Sequence, residues 1–239
     1  MQLPGRIFDL FGEDAIWSDD HEGLSGETLR VTGPTGAFYV KQGPSARAEH
    51  ERLLWLKRWV SVPDVVAFEG DALVLADAGW RSLERKPPAD AGTVLGTALR
   101  ALHEVPVREC PFDERLDVKL ARAAGRVRDG LVDAGDFDED HLGLTPGQVY
   151  ERLVAERPAR EDLVVTHGDY TPANVLASPS GDTVLVDVGA LGVADRHVDL
   201  AIVLRELDGP AAGSFLRAYG PAEVDEDRLR YYRLLDELF

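Results

Sequence analysis

Three side chains in the second half of the chain have the types and spacing to hold a hard cation beside a reacting hydroxyl. The run His167-Gly168-Asp169-Tyr170-Thr171-Pro172-Ala173-Asn174 follows an apolar strand, Leu163-Val164-Val165. An Asp at 169 can accept or orient a hydroxyl proton, and the Asn five residues on offers a carbonyl oxygen to Mg²⁺. A second apolar strand, Thr183-Val184-Leu185-Val186, ends in Asp187. Residues 175–177 and 184–186 flank Pro179-Ser180-Gly181-Asp182, which has the composition of a turn. A hairpin there brings Asn174 and Asp187 side by side at its open end. Each alone reads as an ordinary strand-end residue; with Asp169 they read as metal-assisted chemistry.

The spacing of Asp169 and Asn174 matches that of the catalytic Asp and metal-binding Asn in kinase catalytic loops. A further pair fits the same chemistry. Lys41 ends the strand Phe38-Tyr39-Val40, and in the next helix Glu49 shares a face with Leu53, Leu56 and Val60. A carboxylate on an apolar face needs a partner, and Lys41 is available; kinases use such a pair to hold the lysine against the ATP phosphates. A structural salt bridge is the competing reading. Glu22-Gly23-Leu24-Ser25-Gly26-Glu27 sits where a nucleotide loop belongs, but it is neither G-x-G-x-x-G nor a Walker loop. Ser25 could donate to a phosphate.

These groups need elements to hold them. Thr28-Leu29-Arg30-Val31 and 37–41 flank a Gly/Pro-rich turn and predict a hairpin, as do 65–68 and 72–75 around Glu69-Gly70-Asp71. Residues 46–60 predict a helix between the hairpins. From about residue 89 helical patterns dominate: Leu95, Leu99 and Leu102 share a face, Thr145-Pro146-Gly147-Gln148 is a capping-box start, and 195–207 and 226–238 are further helices. One strand pair, near 175–187, interrupts them. The expected fold is α+β with two lobes: a small strand-rich lobe over 1–77 and a larger, mostly helical lobe over 78–239, with a ligand cleft between them.

Composition narrows the partners. The net charge is −17, which argues against nucleic acid and anionic membranes and is compatible with a cationic ligand. No apolar run is long enough to span a bilayer, and the first residues do not read as a signal peptide. With one cysteine, Cys110, no internal disulfide forms, so a cytoplasmic location is expected. Asp133, Asp136, Asp138, Glu139 and Asp140 cluster before the Thr145 helix. Such a run is commonly a solvated face, yet it also suits ammonium groups.

The chain resembles the aminoglycoside phosphotransferases, most of all the 3′-phosphotransferases. The likeness rests on Cys110-Pro111-Phe112-Asp113, on Glu161-Asp162-Leu163-Val164-Val165-Thr166-His167-Gly168-Asp169, on Leu191-Gly192-Val193-Ala194-Asp195-Arg196-His197 and on Leu234-Leu235-Asp236-Glu237-Leu238-Phe239. It implies a protein-kinase-like fold and transfer of phosphate from ATP, with GTP possible, to an aminoglycoside hydroxyl. It implies Asp169 as catalytic base, Asn174 and Asp187 as Mg²⁺ ligands, and Lys41 on the ATP phosphates held by Glu49. It further implies Ser25 in the nucleotide loop and an adenine pocket near Ala76 and Ala78. The antibiotic pocket would include Asp138, Glu139, Arg205, Glu206, Asp236, Glu237 and Phe239. One departure is Ala190, where these enzymes usually carry Arg. A monomer or weak dimer is expected. The competing functions are a kinase for another small hydroxylated molecule and a non-catalytic ATP-binding module. No serine-hydrolase elbow or H-E-x-x-H zinc motif is present, and the short segment after Asp187 has no room for a protein-kinase activation segment.

Overall fold

The computed structural model of the protein describes residues 4–12, 14–18, 28–85, 87, 90–220 and 224–239. Ser25 and the rest of its loop, as well as His21, lie outside the described residues.

The first lobe is a five-stranded antiparallel sheet with one helix on each face. Helix α1 (Gly5–Asp9) precedes strand β1 (Ile16–Ser18), then the hairpin β2 (Thr28–Gly33) and β3 (Gly36–Gln42). Helix α2 (Pro44–Leu56) follows, then β4 (Val65–Glu69) and β5 (Ala72–Ala76). The strand order is β1-β2-β3-β5-β4. Strand β5 shows why the sheet is covered on both sides. Its side chains alternate between faces, yet Ala72, Leu73, Val74 and Leu75 are all buried. Ala72 and Val74 pack with Ile7 and Phe11 at α1, while Leu73 and Leu75 join Leu53 and Leu56 of α2 in the main core. Helix α2 starts at Pro44, whose fixed φ suits the first turn. It ends at Leu56, short of the predicted residue 60, because the chain tightens: Trp59 N–H donates to Leu56 O rather than one residue further back.

The second lobe begins with the short strand β6 (Arg81–Ser82) and contains helices α3 (Ala91–His103), α4 (Leu116–Arg128) and α5 (Pro146–Ala155). Strands β7 (Leu163–Thr166), β8 (Val175–Ala177), β9 (Thr183–Leu185) and β10 (Gly192–Asp195) follow, then helices α6 (His197–Glu206), α7 (Gly209–Tyr219) and α8 (Glu226–Asp236). Leu95, Leu99 and Leu102 of α3 are fully buried, a contribution of about 1.5–3 kcal/mol each. Helices α3 and α7 approach closely: a Cβ on Gly96 would sit 2.5 Å from Phe215 O. The predicted start of α5 has both halves of its capping box, with Thr145 Oγ1 accepting from Gln148 N–H and Gln148 Oε1 from Thr145 N–H.

Two features depart from the sequence expectation. Asp195, predicted to open a helix, ends strand β10, which pairs antiparallel with β7. The Asp195 carboxylate is fully buried and accepts from Asp162 N, His197 N and Arg228 Nη1. The β7–β10 pairing is therefore a two-stranded sheet additional to the predicted β8–β9 hairpin, to which β6 adds a third strand. Among the described residues no helix is long and apolar enough to cross a membrane.

Candidate functional site

The hairpin between β8 and β9 forms as its turn sequence requires, with Val175 opposite Leu185. Val186 N–H donates to Asn174 O at 3.1 Å, so Asn174 and Asp187 leave the hairpin at the same end. Both line a cleft between the lobes with Lys41. Asp187 has φ 59°, the left-handed region; among the described residues it is the one non-glycine residue there. Sparsely populated backbone of this kind persists where its surroundings hold it.

Lys41 carries the other side of the arrangement. Its Nζ donates to both carboxylate oxygens of Glu49, at 2.9 and 2.8 Å, and also contacts the Asp187 carboxylate. Glu49 is 3% exposed, so the carboxylate on the apolar face of α2 does have the predicted partner. Burial works against the Lys41 ammonium, but Glu49 and Asp187 outweigh it and push its pKa up. The lysine stays charged, and part of its charge faces the oxygen that a metal ion would share. One turn along α2, Arg52 ties the helix to the second lobe, through Nε to Leu191 O at 2.7 Å and Nη2 to Glu114 at 3.0 Å.

The segment carrying Asp169 is braced on every side. Gly168 has φ 88°, and a side chain there would collide with the backbone carbonyl of Ala190. The amides of His167 and Gly168 both donate to the Asp199 carboxylate, each at 2.8 Å. Asp199 is fully buried, and His103 Nε2 approaches it at 3.0 Å. Burial alone would raise the Asp199 pKa, but His103 and the His167 backbone hold it below the usual carboxylate value. His167 Nδ1 accepts from Asp169 N–H at 3.3 Å, which leaves Nε2 to donate to Val186 O at 2.9 Å. His167 thus fastens the Asp169 loop to the residue leading into Asp187. Tyr170, wholly buried, donates to Leu95 O. Asn174 Nδ2 donates to both the backbone and the carboxylate of Asp169, each at 2.9 Å, which turns its Oδ1 away as an open acceptor.

The donor set fits Mg²⁺. It consists of one carboxylate and one carboxamide oxygen, and Lys41 Nζ already approaches the carboxylate as a cation would. Among the described residues no cluster of three or more His, Cys, Asp or Glu forms a self-sufficient cage. That suits an ion which takes few protein ligands and completes its shell with phosphates and water.

The cleft beside Lys41 is walled by Tyr39, Leu75, Ala76, Ala78, Trp80 and Leu176 among others. The apolar side chains would cover a planar base, and of them the sequence reading had named Ala76 and Ala78. Two backbone donors at the predicted hinge are already taken: Ala76 N–H by Asp64 O at 2.9 Å, and Asp77 N–H by Ala37 O at 3.0 Å.

On the other side of Asp169 lie two adjoining cavities of about 330 and 430 Å³, which share Asp236 and Phe239. The inner one reaches Asp169, Gly168 and Ala190 and also takes in Lys119, Arg122 and Tyr232. The outer one contains Asp133, Asp136, Asp138, Glu206, Asp236 and Glu237, against Arg126 and Arg205. Arg205 Nη1 pairs with Asp138 at 3.3 Å and with Asp236 at 3.0 Å. Burial, helped by Asp169, raises the Asp236 pKa, and Arg205 opposes it. Glu237 is turned inward: it accepts from Asp138 N–H and from His141 Nδ1. Glu139 is exposed and does not line either cavity, unlike its neighbour Asp138. Lys119, Arg122 and Asp199 were missed from sequence, since nothing local distinguishes them from other helical charges.

The chain is similar to known phosphotransferases over most of its length. A family model described as the phosphotransferase enzyme family matches residues 17–232. An aminoglycoside 3′-phosphotransferase of Streptomyces fradiae is 41% identical over 254 residues, which cover 93% of this chain and 95% of that protein. The crystal structure of an aminoglycoside-3′-phosphotransferase of type VIII superposes with a TM-score of 0.89 at 37% identity, covering 98% of this chain and 97% of that one. A phosphotransferase of Streptomyces rimosus, solved in complex with ADP and streptomycin, gives 0.80 at 27% identity, covering 93% and 92%.

Proposed function

We propose that this chain, which belongs to the phosphotransferase enzyme family, transfers the γ-phosphate of ATP to a hydroxyl of an aminoglycoside, the 3′-hydroxyl, and so inactivates an antibiotic. The observation that carries this reading is the meeting of Lys41, Asn174 and Asp187 in the cleft, with Asp169 hydrogen-bonded to Asn174 and opening on the inner of two adjoining cavities, the outer of which is rich in acids. The bilobal kinase-like fold supports it, with a nucleotide lobe over 1–77 and an acceptor lobe over 78–239.

The residues divide the work. Tyr39, Ala76, Ala78, Trp80 and Leu176 enclose the adenine. Lys41, kept charged and oriented by Glu49, draws the ATP phosphates into line. Asn174 Oδ1 and the Asp187 carboxylate would hold Mg²⁺, which neutralises charge on the phosphate oxygens when bound. Asp169 accepts a hydrogen bond from the acceptor hydroxyl and takes its proton as the oxygen bonds to the γ-phosphorus and the bond to the β,γ-bridging oxygen breaks, releasing ADP. Asp133, Asp138, Asp236 and the acids around them attract the ammonium groups of the substrate. Glu237 supports that wall by holding Asp138 and His141 in position.

ATP turnover by the purified protein with kanamycin, neomycin and streptomycin tests the reading. Phosphorylated product with kanamycin or neomycin is expected. Tight ATP binding with no acceptor phosphorylated would reduce the chain to a nucleotide-binding module.

A further inference from the structure

Helix α4 buries Leu116, Lys119, Leu120 and Ala123 on one face, and one of these four is a lysine. Lys119 is 7% exposed and lines the inner cavity, across which Asp169 also opens. Among the described residues no oxygen accepts a hydrogen bond from its Nζ and no carboxylate pairs with it; Nζ lies over the Phe239 ring, 5.6 Å from the centroid. Burial pulls its pKa down, and the more distant Glu114 and Asp236 oppose that. Because Lys119 lines the cavity and no oxygen of the described residues takes its hydrogens, a group that enters can accept a hydrogen bond from Nζ.

The two adjoining cavities also differ in charge. Six acids face two arginines in the outer one. The inner one has Lys119 and Arg122 beside Asp169 and Asp236. With its acids offset by cations, the inner cavity attracts an ammonium group less than the outer one does. An ammonium donor has three hydrogens and no lone pair. It can bond to a hydroxyl oxygen, and it repels a protonated amine.

We propose that Lys119 sets acceptor specificity: it donates to a hydroxyl next to the reacting one and disfavours an amine there. This rests on the proposed phosphotransferase function. Kanamycin A and kanamycin B provide the test, since they differ in carrying a hydroxyl or an amine on the carbon beside the 3′-hydroxyl. Calorimetric titration of the full chain should give tighter binding of the hydroxyl compound. Lys119→Met keeps the apolar stem and should shrink that preference by roughly tenfold. Lys119→Arg should retain it. The melting temperature of Lys119→Met should rise by about 2–4 °C as the unpaired charge goes, a change that also shows the variant folds. An unchanged preference in Lys119→Met, an equal loss for both compounds, or no binding of either by the parent protein would overturn the proposal. Turnover is read separately: binding with the expected preference but no phosphorylation would sink the proposed function and leave the role of Lys119 standing.

Discussion

Asn174 in the cleft and Asp169 at the inner cavity are hydrogen-bonded neighbours, yet the two regions that meet at this border are built differently. On the floor each functional side chain is fixed by its neighbours. Glu49 holds Lys41, Asn174 and His167 hold Asp169, and Asp199 holds the loop as a whole. In the outer cavity Asp133, Asp136 and Glu206 are exposed, and Asp138 and Asp236 share Arg205. Positioning matters most where phosphate is transferred, because misplacement of reacting atoms is costly. Capture of a flexible polycation tolerates looser walls. The chemistry is thereby built rigidly and the choice of acceptor adjustably.

Substitutions on the two sides should therefore differ in kind. Asp169→Ala should lower transfer by about 10²–10⁴-fold while ATP binding persists; unchanged turnover would remove Asp169 from the chemistry and erase the border. Asp187→Ala should abolish Mg²⁺-dependent ATP binding, and normal nucleotide affinity in a binding assay would contradict the assigned ligand set. On the acceptor side, Glu237→Gln should raise the acceptor KM by roughly tenfold, the loss of about 1.4 kcal/mol of binding, with a smaller change in kcat. The reverse split would make this wall part of the catalytic floor. The smallest effect concerns acid stability. The folded-state pKa of Asp199 lies below its ordinary 3.8, so its contribution is fully present above that value and is lost as pH falls through the folded pKa. Thermal melts of Asp199→Asn should be less pH-dependent in that window than those of the parent chain; identical slopes would detach Asp199 from the support of the loop.

Much of the floor was legible because its signals are local. Asp169 and Asn174 lie on one loop, a turn of four residues closes the β8–β9 hairpin, and the helical period exposes Glu49 as an acid on an apolar face. The β7–β10 pairing was not legible. Its strands are separated by the whole of that loop and hairpin, and the short run before Asp195 reads equally well as the start of α6. The inward turn of Glu237 depends on His141, 96 residues away, and Lys119 meets the Phe239 ring only in the folded chain. Asp199 lies in the first turn of α6, where an acid reads as a complement to the helix N-terminus; only the folded chain reveals two loop amides converging on it. Sequence period can tell which face of a helix is buried, but not which distant group a buried charge will meet.

Arg52 has a consequence for the pairing of Lys41 with Glu49. To part Glu49 from Lys41, helix α2 would have to swing outward, and that motion would strip the guanidinium from both Leu191 O and Glu114. The assembled arrangement is thus the resting one.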